Sequence, residues 1–396
     1  MSKTRANSSK ALSDAKLSRL LGDAPAAPRK DFTVAVINYP GFHPTPLMEA
    51  WFGFGWSEWE LVRRCRPRFK GHRQPLGCRW GEFDESDPAW SARETDAAAD
   101  HGIDVWIYDW YWYSGVEIWN EGLNRGFLHA PNRKRMKFAI MWANHTWTNN
   151  HPAPLNGPLQ QLLPIRHSVE DLDRVVDYWC ERYFSQDNYW RIDGRPWCSV
   201  FLLSSLLEHL GGAKGVGRAV QRMRRRAQAN GESDLHLGVF TFSPAEAKLA
   251  CKLGFDVATT YNVTEGSRQK TGQATVDYHD VMLKHAQRWG EFAEADVPYW
   301  PVVTQGWDVS ARTHPYEPWP PVRWAWPWGH VVTDNTPERF AQLVYAARQF
   351  MATQQTQPKA LVINAWNEWT EGSVLLPTKD EGLGVLKALK RALTAK

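Results

Sequence analysis

The sequence predicts an α/β chain folded as a single (β/α)8 TIM barrel with long βα loops. Three observations carry this. First, eight short apolar runs recur along the chain: Phe32–Asn38, Val105–Trp110, Phe138–Trp142, Trp197–Leu203, Leu235–Phe242, Asp256–Tyr261, Trp300–Gln305 and Ala360–Trp366. Second, stretches with helical spacing separate them, among them Ser91–His101, Val169–Phe184, Gly215–Asn230, Tyr278–Phe292 and Pro337–Ala352. Such alternation means parallel strands joined by right-handed crossovers. Third, aromatic and polar residues follow most of the runs at one end, where barrel enzymes place their chemistry. An open doubly wound sheet is the alternative, but no Gly-x-Gly-x-x-Gly follows the first run.

Taken in order, residues 1–30 are polar and rich in Ala, Ser and Lys, ending in Ala24-Pro25-Ala26-Ala27-Pro28. That composition reads as a disordered tail, with a weak helix around Ala11–Leu21. Residues 31–396 form the expected barrel domain. The first run leads into Asn38-Tyr39-Pro40-Gly41-Phe42-His43 and a loop holding Trp51, Trp56, Glu58 and Trp59. The second leads into Asp109-Trp110-Tyr111-Trp112-Tyr113, and the third into Trp142-Ala143-Asn144-His145-Thr146-Trp147. Tyr261-Asn262 follows the sixth. Gln305-Gly306-Trp307-Asp308 follows the seventh, and its loop continues through Trp319, Trp324, Trp326 and Trp328 among prolines.

The eighth run is the informative one. It breaks into Trp366-Asn367-Glu368-Trp369-Thr370-Glu371-Gly372, two carboxylates three residues apart with a glycine that can turn the chain. Paired carboxylates are the minimal equipment for splitting a glycosidic bond. The plain alternative is a strand end with two solvated glutamates. Repulsion and the apolar neighbours Trp366 and Trp369 should raise one carboxyl pKa.

Composition narrows the class further. A hydrophobic content of 43% with 23% charged residues is that of a globular protein, and no window approaches the ~18 apolar residues of a membrane span. A net charge of +4 points to no particular partner. The run Arg222-Met223-Arg224-Arg225-Arg226 reads as a solvated helix face rather than a nucleic-acid patch. Arg63, Arg64, Arg66, Arg68 and Lys70 read as a solvated loop, with an anionic substrate the alternative. Five cysteines without a CxxC disfavour a disulfide framework or a zinc site. No apolar leader precedes Phe32, so a cytoplasmic location is expected. Tryptophan is the anomaly, 23 residues of it. Each indole N–H needs a partner, so the rings suit either a large aromatic core or a sugar-stacking cleft. Their position after the strands favours the cleft, with Trp307, Trp324, Trp326 and Trp328 expected to be partly exposed along it.

The chain resembles the WbsX-like family of polysaccharide-associated proteins. The resemblance rests on residues 38–43, Gly55-Trp56-Ser57-Glu58-Trp59, Arg66-Pro67-Arg68-Phe69-Lys70-Gly71-His72-Arg73-Gln74-Pro75 and Trp142-Ala143-Asn144. Tyr189-Trp190-Arg191-Ile192-Asp193-Gly194-Arg195-Pro196, Gly306-Trp307-Asp308 and residues 366–372 complete it, in family order from about residue 33 to 387. That family is similar in turn to glycoside hydrolase family 99, the endo-α-mannosidase type, a barrel needing no cofactor. The resemblance implies that Glu371 is the acid/base, which makes it the group expected to have the raised pKa, and that Glu368, expected to be ionised, deprotonates the sugar 2-hydroxyl. The hydroxyl then attacks the anomeric carbon, giving a 1,2-anhydro sugar that water opens with retention. There are two departures: His145 stands where the family has an acidic residue, and Asp109 where it has a histidine.

A retaining glycoside hydrolase acting on a polysaccharide or oligosaccharide is therefore the first expectation, with no cofactor and no metal. A glycosyltransferase of polysaccharide biosynthesis on the same barrel is the alternative, and a non-catalytic glycan-binding barrel the third reading. The expected catalytic residues are Glu368 and Glu371. Expected sugar contacts are Tyr39, His43, Trp56, Glu58, Asp109, Trp110, Trp142, Asn144, His145, Tyr261, Trp307, Asp308, Trp324, Trp326, Trp366 and Asn367. The partner is a carbohydrate, with no nucleic acid and no membrane span.

Overall fold

The computed structural model describes residues 25–267, 269–270 and 272–395. Most of the expected tail, with the helix expected around Ala11–Leu21, lies outside the described residues. The tail expectation also ran slightly too far. Ala27 is buried, its carbonyl accepts from the Arg348 guanidinium, and a single 3-10 turn, Arg29–Asp31, leads straight into the first strand.

Eight parallel strands form the barrel: β1 (Phe32–Asn38), β2 (Val105–Tyr113), β3 (Lys137–Trp142), β4 (Arg195–Val200), β5 (His236–Phe240), β6 (Val257–Thr259), β7 (Val302–Thr304) and β8 (Lys359–Asn364). Their lateral order is β6-β5-β4-β3-β2-β1-β8-β7. The residues just before β7 nearly close the ring, because Ala258 N–H donates to Pro298 and Trp300 N–H donates back to Ala258. All eight expected runs are strands. The periodicity located them well because each is a continuous apolar segment buried on both faces.

Helices α1 (Pro88–Asp100), α2 (Val169–Trp179), α3 (Gly212–Ala229), α4 (Pro244–Leu253), α5 (Tyr278–Glu294), α6 (Pro337–Thr353) and α7 (Gly384–Thr394) pack outside the strands. Their starts follow from local chemistry. The side chains of Asp87, Ser168, Ser243, Asp277 and Thr336 each accept a first-turn N–H, and proline occupies the first helical position of α1, α4 and α6. Between β2 and β3 the crossover is irregular, a π-helical turn (Gly122–Gly126) followed by 3-10 turns. No helix among the described residues is long and apolar enough to cross a membrane.

One charge reading needs correction at a single residue. Arg68 is not in a solvated loop: its guanidinium donates to the carbonyls of Glu317, Ser310 and His314 and to Thr313 Oγ1, stapling the loop after β7. The run on α3 is the solvated face expected, with Arg222, Arg225 and Arg226 exposed, and it is also paired: Arg222 with Asp173, Arg224 with Asp234 and Asp256, and Arg226 with Asp177. Most of the tryptophans are core as well. Trp106, Trp110, Trp142, Trp179, Trp197, Trp289, Trp300, Trp366 and Trp369 are fully buried. The aromatic-core reading therefore accounts for the bulk of the indoles, and a small set remains for the cleft.

Candidate active site

β8 delivers the two glutamates through a tight reversal. Asn367–Glu368 pairs antiparallel with Ser373–Val374, and Glu371 N–H donates to the Glu368 carbonyl across the turn. Gly372 makes this turn possible. Its φ is +67°, and a Cβ there would sit 2.7 Å from the Asp308 Cβ and 2.8 Å from the Asp308 nitrogen. The bend turns a three-residue separation into a shared cavity wall.

The cavity holds about 670 Å³ and opens at the C-terminal ends of the strands. Tyr39, Asp109, Tyr111, Met141, Ala143, His145, Tyr261, Arg312, Glu368 and Glu371 line it, while Trp147, Phe201, Phe242, Trp307 and Trp326 form aromatic walls. Both glutamates face one guanidinium. Arg312 Nη2 lies 3.6 Å from Glu368 Oε2, and Nε lies 3.8 Å from Glu371 Oε1. The Tyr261 hydroxyl donates to Glu368 Oε1 at 3.3 Å. Asp109 Oδ1, Glu368 Oε2 and Glu371 Oε2 are buried without a hydrogen-bond partner. Buried polar atoms of this kind normally find partners, so three orphans in one cavity mark a place for a ligand.

Behind the cavity, Glu58 anchors the arginine. It accepts from Tyr39 OH (2.6 Å), Arg312 Nη1 (2.9 Å) and Thr370 Oγ1 (2.5 Å), with His151 Nε2 at 3.3 Å. Burial alone would raise the Glu58 pKa, but Arg312, His151 and Thr370 outweigh it and hold it at about 2. Glu58 is therefore ionised and takes up most of the Arg312 charge. Glu368 and Glu371 have no such protection. Burial pushes Glu371 up to about 7, with Arg312 opposing and Glu58 adding to the rise. Burial raises Glu368 still further, helped by Glu371, Glu58 and Asp109 and opposed by Arg312. Asp109 is raised as well, by burial and then by Glu371. The expectation that Glu371 would be raised agrees with this environment. The expectation that Glu368 would stand ionised in the free protein does not, since burial and three neighbouring carboxyls all favour its proton. Two groups work the other way at Glu368 and favour its anion, the Tyr261 hydroxyl at 3.3 Å and an Arg312 guanidinium nitrogen at 3.6 Å.

Of the expected sugar contacts, Tyr39, Asp109, His145, Tyr261, Trp307 and Trp326 reach the cavity with the glutamates. The others do not. Trp110 and Trp142 point outward to the helices; Trp110 Nε1 donates to Glu117 and the Tyr183 hydroxyl, and Trp142 packs edge-on to Trp179 and His167. Trp366 likewise turns toward α1, where its N–H donates to Glu94. Asn144 clamps the loop after β4 by exchanging two hydrogen bonds with the Leu202 backbone. Asn367 binds the Tyr39 backbone and Glu85, and His43 lies between Glu85 and Glu121. Trp56 is buried against Phe52 and His151, and Glu58 stands behind the cavity on Arg312, Tyr39, Thr370 and His151. Asp308 sits behind Glu371. It accepts from His72 Nε2 at 2.7 Å, while its own N–H donates to the Glu371 carbonyl.

Sequence reasoning missed Tyr111, His151 and, most importantly, Arg312. That arginine ends a 3-10 turn, Val309–Arg312, in an irregular loop, where no periodicity marks it. The chain does contain an Asp-x-Asp triplet of the kind found in nucleotide-sugar enzymes, Asp171-Leu172-Asp173. It lies in α2, where Asp171 accepts from Trp112 and Asp173 pairs with Arg222, so it takes no part in the cavity.

The tryptophan expectation divides. Trp326 (44% exposed) lies 5.9 Å from Trp307, and Arg312 sits 5.8 Å from its ring. Trp324 is exposed but does not line the cavity, and Trp328 is buried with its N–H on Glu317. Trp326→Ala is therefore expected to weaken oligosaccharide binding about tenfold, on the order of 1.4 kcal/mol, without lowering the melting temperature. Trp328→Ala should instead cost about 3 kcal/mol of stability as a cavity is left in the loop. Calorimetric titration beside thermal melts separates the two.

The family model described as glycosyltransferase WbsX matches residues 34–389. WxcX of Xanthomonas campestris pv. campestris, described as an uncharacterized protein, is similar over most of the chain. The strain B100 protein is 26% identical over 380 residues, and the strain ATCC 33913 protein 27% over 376. Each match covers 91% of this chain and 50% of the relative, so the chain spans about half the length of the curated relatives it matches. Among solved structures, the GH99 endo-alpha-mannosidase from Bacteroides thetaiotaomicron aligns with a TM-score of 0.58 at 14% identity, covering 91% of this chain and 96% of that one. A glycoside hydrolase-like protein aligns with a TM-score of 0.62 at 13% identity, covering 95% and 98%. At such identities the likeness concerns the fold.

Proposed function

The chain belongs to the glycosyltransferase WbsX family, and from that premise we propose that it is a carbohydrate-active enzyme that breaks a glycosidic bond at Glu368 and Glu371. The observation that carries this reading is the pair itself: two buried carboxyls with unpartnered oxygens, facing one guanidinium inside an aromatic-walled cavity. Glu371, with its pKa near 7, can hold a proton for a leaving oxygen at neutral pH. A sugar–phosphate donor would need a free cation at its leaving group instead, and Glu58 already occupies Arg312. A glycoside is the better-matched donor.

In the proposed sequence, Glu368 takes the proton of the sugar 2-hydroxyl as that oxygen attacks the anomeric carbon. The glycosidic C–O bond breaks, and the leaving oxygen takes the Glu371 proton. Water then gives a proton to the Glu371 carboxylate and attacks the anomeric carbon of the 1,2-anhydro sugar. The three-membered ring opens, and its oxygen recovers a proton from Glu368. Two inversions leave the configuration retained.

The family's description favours a second reading, in which a sugar hydroxyl replaces water in the second half. Both readings share the first half. Purified protein would be given polysaccharide with and without an oligosaccharide acceptor, and separately given sugar nucleotides, with products read by NMR. New reducing ends of retained configuration are expected. Acceptor-dependent chain transfer would support the second reading, and consumption of a sugar nucleotide without glycoside cleavage would remove the first. A 2-deoxy glycoside cleaved at a normal rate would rule out participation by the 2-hydroxyl.

A further inference from the structure

Beside this cavity lies a second hollow, of about 550 Å³, that the reaction above leaves unused. One side comes from the loop after β3, with Gln161, Arg166 and His167. The other comes from the short helix Leu203–His209, with Ser204, Ser205 and Glu208. His145, Thr146 and Leu202 line both hollows, so the two share a wall. Asn144 fixes that wall through its paired hydrogen bonds to the Leu202 backbone. This explains a structural duty for a residue that sits one step away from the cavity.

The lining of this hollow is polar and unsatisfied. His167 is 5% exposed, with Nε2 held 3.0 Å from Ser205 Oγ and Nδ1 buried without a partner. His209 Nδ1 is also buried and unpartnered. Burial, then the neighbouring His209, depresses the His167 pKa to about 3, so that ring is neutral. Arg166 and Glu208 are exposed, and neither makes an ion pair among the described residues. The unpaired nitrogen belongs to a side chain in the wall of this hollow, and a buried polar atom left unpaired costs free energy that a hydrogen-bonding partner recovers.

We propose that this hollow is an accessory subsite for a neutral sugar residue of the same glycan, continuous with the active site across His145, Thr146 and Leu202. The inference rests on the glycan reading above. The ligand class follows from the lining. One cation and one anion offset each other, and hydroxyls, an amide and neutral imidazoles both donate and accept. Neighbouring sugar hydroxyls donate and accept together, which suits such a wall. An anion would meet Glu208, and an apolar group would leave every polar atom stranded.

The test uses the full chain labelled with 15N-histidine, whose long-range proton–nitrogen spectrum reads each ring nitrogen. The probes are free glucose, mannose, galactose, rhamnose and N-acetylglucosamine, with glucuronate and inorganic phosphate as anionic controls. At least one neutral sugar should shift His167 Nδ1 saturably, and the Arg166→Ala/Glu208→Ala double variant should weaken that binding about tenfold or more. Both substitutions are at exposed positions, so the fold should be retained. Shifts caused only by glucuronate or phosphate, no shift with any neutral sugar, or a shift that survives the double variant would each overturn the subsite. Shifts confined to His145 and His151 would sink it while leaving the glycan reading intact. Full glycan-cleaving activity in Glu371→Gln would instead remove Glu371 as the acid and leave the subsite standing.

Discussion

Glu371→Gln is expected to lower turnover of an unactivated oligosaccharide about 10²–10⁴-fold, the usual worth of a positioned general acid. The same variant should cleave a glycoside with an acidic phenol leaving group at nearly the native rate for bond breaking, since that oxygen departs without a proton. Glu368→Gln should lose both substrates, because every turnover passes through the 2-hydroxyl. The asymmetry is the test. A damaged scaffold would slow both substrates in both variants, and equal losses in Glu371→Gln would move the acid role elsewhere, with Asp109 the next carboxyl in the cavity. Folding should not confuse the result. Both glutamates are buried and raised, so ionising them opposes folding as pH rises from 4.5 through about 7 for Glu371. Glutamine removes that cost, and the Glu371→Gln protein should be more stable than the native one at pH 8.5 by on the order of 2 kcal/mol, with little difference at pH 4.

The elements of the barrel and the carboxylate pair were legible because buried strands are continuous apolar runs and the eighth ends in an abrupt change of chemistry. What sequence did not resolve was which neighbours at a strand end face inward. Along β2, Asp109 and Tyr111 line the cavity while Trp110 faces the helices; past β3, Met141, Ala143 and His145 line it while Trp142 and Asn144 do not. Side chains alternate across a strand, so adjacent motif residues cannot all reach one cavity. Applied to Asp109-Trp110 and Asn144-His145, that parity removes Trp110 and Asn144 from the cavity. Trp326 and Trp328 differ in the same manner, but in an irregular loop no period foretells it. Arg312 had no signal at all. Its role comes from being surrounded by Glu58, Glu368 and Glu371, which belong to segments more than fifty residues away along the chain.

Arg312→Gln is the substitution expected to disturb most at once. Glu58 would be left as a buried charge without its main partner, a loss of about 3–5 kcal/mol at neutral pH. The sign with pH follows from the shifts. In the native protein the Glu58 pKa is depressed to about 2, so its stabilisation is complete above 4.5 and fades only as pH falls toward 2. Without the guanidinium, burial dominates and Glu58 rises above 4.5, so its cost grows as pH rises through that value. The stability gap in urea should therefore be widest near pH 8 and shrink toward pH 4. Catalysis should respond in a second, separable way. Arg312 is the influence that lowers both Glu368 and Glu371, so its loss moves both limbs of the pH–rate profile to higher pH. Glu58→Gln should move both limbs the other way, because it removes a negative neighbour and frees the guanidinium for the pair. Opposite displacements from two substitutions 254 positions apart are what a shared electrostatic site requires. A purely structural role for Arg312 would lower the rate at every pH and leave the limbs where they are.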